Sequence, residues 1–235
     1  MTQAGPIVEE RVTLAGPAGP LSGVLSYPAE AEPAFAALVC SPHPHFAGDM
    51  DNNVVRAVAA RLAAEAVALR FDYRGVGDSA IELPAGLSVW DYWDQVEQHK
   101  AYDDALADVA CAAEFLSRSC GPLPAAAVGY SFGAITAMLH GRRRGGFACL
   151  AGISPPLKRF GFEFLAGVAR PCLLLSGRED FVFCEQALAR ARQAAGGDLY
   201  AQMVDGDHFF RGREDDAATR VADFIRDGLF REGTD

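Results

Sequence analysis

The pentapeptide Gly129-Tyr130-Ser131-Phe132-Gly133 holds the side chain best suited to nucleophilic chemistry in this chain. It follows the apolar run Ala125–Val128 and leads directly into Ala134-Ile135-Thr136-Ala137-Met138-Leu139, a helix-compatible stretch. A G-x-S-x-G pattern between a strand and a helix is a turn so tight that its flanking positions must be small. Gly129 and Gly133 meet that demand, and Ser131 Oγ would stand exposed above a sheet at a helix N-terminus. The pattern alone also fits a glycine-rich turn with no chemistry, so it needs partners. A serine nucleophile requires a base and a group that orients the base. Downstream, the apolar run Pro171–Ser176 ends in Gly177-Arg178-Glu179-Asp180, and Leu199–Val204 ends in Asp205-Gly206-Asp207-His208-Phe209-Phe210. Each gap is long enough for a helix and a strand, so carboxylates and a histidine fall in successive post-strand loops.

The elements that must position these residues alternate along the chain. Glu10–Leu14 and Leu21–Tyr27 are β-like runs joined by a hairpin-like Gly-Pro-Ala-Gly-Pro. Strands are then expected at Phe35–Ser41, Ala66–Tyr73, Pro124–Val128, Phe147–Ser154, Cys172–Ser176 and Leu199–Val204. Helical spacing of apolar residues marks Asn52–Ala64, Asp103–Ser117, Ala134–Arg143, Glu185–Ala194 and Asp215–Phe230. Continuous apolar strands alternating with amphipathic helices predict a mostly parallel sheet covered on both faces. In such sheets the reactive groups sit beyond the carboxyl ends of the strands.

Composition narrows the function classes. The 235 residues carry 21 Lys and Arg against 31 Asp and Glu, a net charge of −10, which disfavours nucleic acid and anionic membrane surfaces. No apolar run reaches the ~18 residues of a spanning helix, and the N-terminus lacks the basic-then-apolar pattern of a signal peptide. Six scattered cysteines without a C-x-x-C pair argue against a disulfide framework or a zinc site. The expectation is one soluble, cytoplasmic domain spanning residues 1–235, with homodimerisation left open.

With the elbow and Gly206-Asp207-His208-Phe209-Phe210 stand two further motifs. These are Ser41-Pro42-His43-Pro44-His45-Phe46-Ala47-Gly48-Asp49 after the third strand and Phe71-Asp72-Tyr73-Arg74-Gly75-Val76-Gly77-Asp78-Ser79 after the fourth. In these four motifs the chain resembles the α/β-hydrolases over nearly its whole length. It is most similar to compact bacterial serine hydrolases with a His-Pro-His-Pro-like loop, of the dienelactone hydrolase and esterase kind. The resemblance implies an α/β-hydrolase fold with an N-terminal antiparallel hairpin, helices on both faces and at most a small cap. It assigns Ser131 as nucleophile, His208 as base and Asp180 as acid, with Glu179 and Asp207 as rivals for the last role.

An oxyanion hole needs two backbone N–H groups. Phe132 is expected to supply one. Pro44 has no N–H, so His45 is the first choice for the second and Phe46 the next. The pair His43 and His45 could suggest a metal, but the resemblance gives the first histidine a bracing role; no metal and no cofactor are expected. Asp72 and Arg74 are expected to fix the turn after the fourth strand. Phe46, Tyr130, Trp90 and Trp93 are the expected substrate contacts. The two tryptophans fall in residues 81–102, read as a possible small cap whose helix turns Leu87, Trp90, Trp93 and Val96 inward. The implied activity is hydrolysis of a small or medium carboxylic ester or thioester through an acyl-Ser131 intermediate. Amide or carbon–carbon bond cleavage, cofactor-free lyase or dioxygenase chemistry, and a non-catalytic binding protein are the alternatives.

Overall fold

A computed structural model describes residues 5–46, 48–195 and 198–230. The hairpin is β1 (Ile7–Gly16) and β2 (Gly19–Pro28), paired antiparallel and closed where Gly16 faces Gly19. There follow β3 (Phe35–Cys40), α1 (Asn53–Leu62), β4 (Ala66–Phe71), α2 (Val89–His99), α3 (Asp103–Cys120), β5 (Ala125–Tyr130) and α4 (Phe132–Arg144). The chain ends with β6 (Cys149–Ile153), β7 (Cys172–Gly177), α5 (Glu185–Ala195), β8 (Leu199–Val204) and α6 (Glu214–Phe230). All eight strands form one sheet in the order β1-β2-β4-β3-β5-β6-β7-β8. β2 joins β4 antiparallel, and every pairing from β4 to β8 is parallel.

β3, β6 and β7 are buried at every residue, as strands covered on both faces must be. α1 and α6 pack on one face, where Val54, Val55 and Val58 meet Ala217, Val221 and Ile225. Trp93, Leu106, Val109, Ile135 and Met138 fill the other face from α2, α3 and α4. The strand order reverses direction at β3, because β4 lies on one side of it and β5 on the other. The crevice beyond β3 and β5 is therefore the place where a parallel sheet opens for a ligand.

Local chemistry fixes the ends of the elements near that crevice. Asn52 caps α1 by accepting the Val54 N–H at 3.0 Å, and Ser88 caps α2 by accepting the Asp91 N–H at 3.1 Å. Beyond β4, the buried Arg74 guanidinium bonds both carboxylate oxygens of buried Asp108 on α3, at 2.8–3.2 Å. Asp72 accepts the Met50 N–H at 2.7 Å and so ties the β4 loop to the segment after β3.

Burial pushes the Asp72 carboxyl up to about 7, with Asp49, Asp51 and Asp78 adding repulsion. A folded-state value raised above the unfolded one favours folding at low pH, and that contribution is lost as pH rises through about 7. Asp72→Asn keeps the acceptor oxygen and removes the charge. Its stability relative to the parent should improve by ~2–3 kcal/mol between pH 5 and pH 8. Urea midpoints at the two pH values check this, and an equal difference at both would contradict it.

Candidate active site

Ser131 stands between β5 and α4 with φ 55° and ψ −112°, a backbone region that non-glycine residues rarely occupy. The two flanking glycines leave no alternative. A Cβ on Gly129 would lie 1.9 Å from the Gly133 carbonyl oxygen, and one on Gly133 would lie 2.2 Å from that of Cys40. The Ser131 N–H donates to the Ile153 carbonyl at 2.8 Å, which fastens the turn to β6.

Asp180 and His208 follow β7 and β8, and those two strands run in parallel register to Gly177 and Val204. Gly177 lets the two loops meet, since a Cβ there would lie 2.3 Å from the Gly206 carbonyl oxygen. His208 follows β8, which is three strands from β5, a distance of ~14 Å, so its loop must reach back across β7 and β6. Tyr130 Oη and Ser154 Oγ donate to the His208 carbonyl at 3.0 and 3.3 Å and hold that return.

His208 Nδ1 lies 3.0 and 3.1 Å from the two Asp180 oxygens, and its Nε2 lies 3.2 Å from Ser131 Oγ. Burial alone would raise the Asp180 carboxyl. Hydrogen bonding and charge from His208, together with the Val182 N–H, outweigh it and hold the group below its ordinary value. An ionised carboxylate only accepts, so the proton sits on Nδ1 and leaves the Nε2 lone pair for the serine hydroxyl. Glu179 and Asp207 stay out of this chain: the Asp207 carboxylate accepts the Phe209 N–H at 2.9 Å, and Glu179 is exposed. Cys40 is also buried close by, but burial pushes its thiol up to about 12, so it stays protonated and inert.

Phe132 is the first residue of α4, where a backbone N–H has no partner within the helix. The expected second donor is engaged elsewhere. Pro44–Phe46 form a 3-10 turn in which the His45 N–H donates to His43 Nδ1 at 3.2 Å and the Phe46 N–H to the His43 carbonyl at 2.9 Å. Burial pushes the His43 imidazole down to about 4, so it is neutral, with the proton on Nε2. That buried nitrogen has no hydrogen-bond partner, and the imidazole packs edge-on against Phe132 and Trp93 with ring centroids 5.1 and 5.6 Å apart. Among the described residues no three His, Cys, Asp or Glu side chains cluster so as to hold a cation.

No protein-family model matches the chain. An uncharacterized protein of Rickettsia prowazekii is 27% identical over 200 residues, which cover 80% of this chain and 77% of that protein. A solved α/β serine hydrolase without a lid, from Xanthomonas campestris, is 26% identical with a TM-score of 0.76, covering 95% of this chain and 96% of that one. An esterase from Pyrococcus furiosus shares the fold at a TM-score of 0.74 and 13% identity, over 95% of this chain and 94% of that one. The chain has the α/β-hydrolase fold.

Within this fold a cavity of about 140 Å³ opens beside Ser131. Phe46, Tyr130, Phe132 and His208 line it, together with His43. The two tryptophans do not. Trp93 is 0% exposed and wedged among Tyr73, His43 and Phe132, with its Nε1–H donating to the Arg74 carbonyl at 3.2 Å. Trp90 is 61% exposed and stacks on the His45 ring at 3.8 Å, while His45 Nε2 lies 2.7 Å from the Trp90 carbonyl oxygen. Of the four residues expected to turn inward, Trp93 and Val96 are buried, whereas Trp90 is exposed and Leu87 precedes α2; helical spacing also could not say that the buried face meets core instead of cavity.

α2 reaches the cavity through Glu97, and the residues just beyond it add Lys100 and Tyr102. Glu97 accepts from both the Lys100 ammonium and the Tyr102 hydroxyl. Arg159 and Phe160, from the loop after β6, and Phe181 and Phe209, beside the two loops already described, complete the wall. Sequence reasoning missed all of these. The only signal for Phe181 and Phe209 was adjacency to Asp180 and His208.

Trp93→Ala should lower stability by ~3–5 kcal/mol, the range for emptying a buried aromatic site. Chemical denaturation measures this, and a loss under ~1 kcal/mol would return Trp93 to the solvent-facing cavity wall.

Proposed function

We propose that this chain is a serine hydrolase that cleaves small or medium carboxylic esters or thioesters through an acyl-Ser131 intermediate. The observation that carries the reading is the line of three side chains, Asp180 to His208 to Ser131, at 3.0 and 3.2 Å beside an apolar cavity. The named hydrolase and esterase among its fold relatives support the same chemistry.

In the first half-reaction Ser131 Oγ attacks the scissile carbonyl carbon and passes its proton to His208 Nε2. Asp180 orients the imidazole and stabilises the imidazolium that forms. The carbonyl oxygen becomes an oxyanion held by the Phe132 N–H at the positive end of α4. The His45 N–H supplies the second bond by exchanging its long contact with the neutral His43 Nδ1 for this stronger, charged acceptor. The bond to the leaving oxygen or sulfur then breaks as that atom takes the proton from His208. Water repeats the sequence on the acyl-serine and releases the acid.

Hydrolysis of p-nitrophenyl esters of graded acyl length tests the reading. Ser131→Ala should lose ~10⁴–10⁶ in kcat. Asp180→Asn, which keeps the shape but favours the wrong imidazole tautomer, should lose ~10⁴. Undiminished turnover by Ser131→Ala would remove the serine from the mechanism, and collapse in Glu179→Gln with activity kept in Asp180→Asn would move the acid one residue back.

A further inference from the structure

The proton that His208 delivers fixes where the leaving group must lie. During acylation the Ser131 Oγ–acyl bond forms, the acyl–oxygen bond of the ester breaks, and the departing oxygen takes the proton from His208 Nε2. That oxygen therefore sits against the imidazole, and whatever it carries extends over the residues flanking His208. Two phenylalanines flank it. The Phe181 and Phe209 rings lie 4.9 and 5.3 Å from the imidazole and 6.1 Å from each other, and both border the cavity.

These rings are unusually exposed for their size, at 57% and 36%, yet their backbones are held firmly. Lys158 donates its ammonium to the Phe181 carbonyl at 2.6 Å and its N–H to the Val182 carbonyl at 3.0 Å. The Phe209 N–H donates to Asp207 at 2.9 Å, and the Arg211 guanidinium sits over the Phe209 ring at 4.7 Å. Lys158 and Arg211 are thus already engaged, which leaves the paired rings as an apolar surface on the leaving-group side of the nucleophile.

We propose that Phe181 and Phe209 form the leaving-group subsite and select esters of apolar, ring-bearing alcohols over esters of small ones. This rests on the hydrolase reading above. Removing ordered apolar surface from water on both the rings and the substrate drives the preference, and the low entropic cost of fixed aromatic anchors adds to it.

Benzyl butyrate and methyl butyrate share one acyl group, so the ratio of their kcat/KM values isolates the leaving group. A loss of folded protein, or a fault in deacylation, divides out of that ratio. In the Phe181→Ala Phe209→Ala double variant the benzyl-over-methyl ratio should fall ~10–100-fold, the range for lost apolar pocket contacts. The same variant should show a matching fall in interception of the butyryl-enzyme by benzyl alcohol relative to methanol, since this is acylation run backwards. A ratio within twofold of the parent's overturns the subsite. If the double variant instead turns a dimer into a monomer at unchanged ratio, the shelf belongs to a second copy of the chain. A parent protein that cleaves neither ester overturns the hydrolase reading together with the subsite, so the two failures are distinguishable.

Discussion

A serine held at φ 55° sits in a conformation that costs ~1–3 kcal/mol and persists only where its surroundings over-determine it. Here the surroundings are backbone on every side. Gly129 touches the first turn of α4, Gly133 touches the end of β3, and the Ser131 N–H is committed to β6. The serine hydroxyl cannot retreat into the sheet or unwind into the helix. It projects into the crevice where β3 and β5 part company, and every other feature of the site is arranged around that fixed point.

Because β3 and β5 are paired with Cys40 opposite Gly129, the loops that follow them leave the sheet at one level. This brings the Pro44–Phe46 turn and the N-terminus of α4 to the same cavity beside Ser131. The more distant loops need separate anchors. Gly177 allows the loops after β7 and β8 to touch, and the Tyr130 and Ser154 hydroxyls pull His208 back over two strands. Tyr130 thus acts on both fronts, lining the cavity with its ring and fixing the base with its oxygen. Asp180 completes the chain because the hydrogen bonds it accepts outweigh the cost of its burial.

What the sequence revealed and concealed divides along the same line between backbone and side-chain packing. The strand Leu199–Val204 was legible to the residue, since a short, mostly apolar run between Asp198 and Asp205 reads as a strand in an α/β pattern. Ser131 and His208 were legible because each falls in the loop after such a run, whereas Asp180 was set apart from Glu179 and Asp207 by the family resemblance. The roles of Trp90 and Trp93 were not legible. Both lie on α2 at helical spacing, but one is sealed among Tyr73, His43 and Phe132 and the other stacks outside the cavity on His45. Periodicity placed Trp93 and Val96 inward but also Trp90, which is exposed, and it does not report what lies opposite a buried face. Arg159 and Phe160 were invisible for a related reason: they come from an irregular loop whose path is set by hydrogen bonds to Phe181 and Val182. The engaged state of the His45 N–H was equally hidden, because it depends on the rotamer of His43 two residues away.

The most direct test of this account is to quench the protein in acid during its first turnover of a p-nitrophenyl ester and map the acyl group by peptide mass spectrometry. The strained serine and its proton relay predict one acyl group per chain, on Ser131, formed in step with a burst of nitrophenol. An adduct on a cysteine or histidine, with Ser131 unmodified, would contradict it.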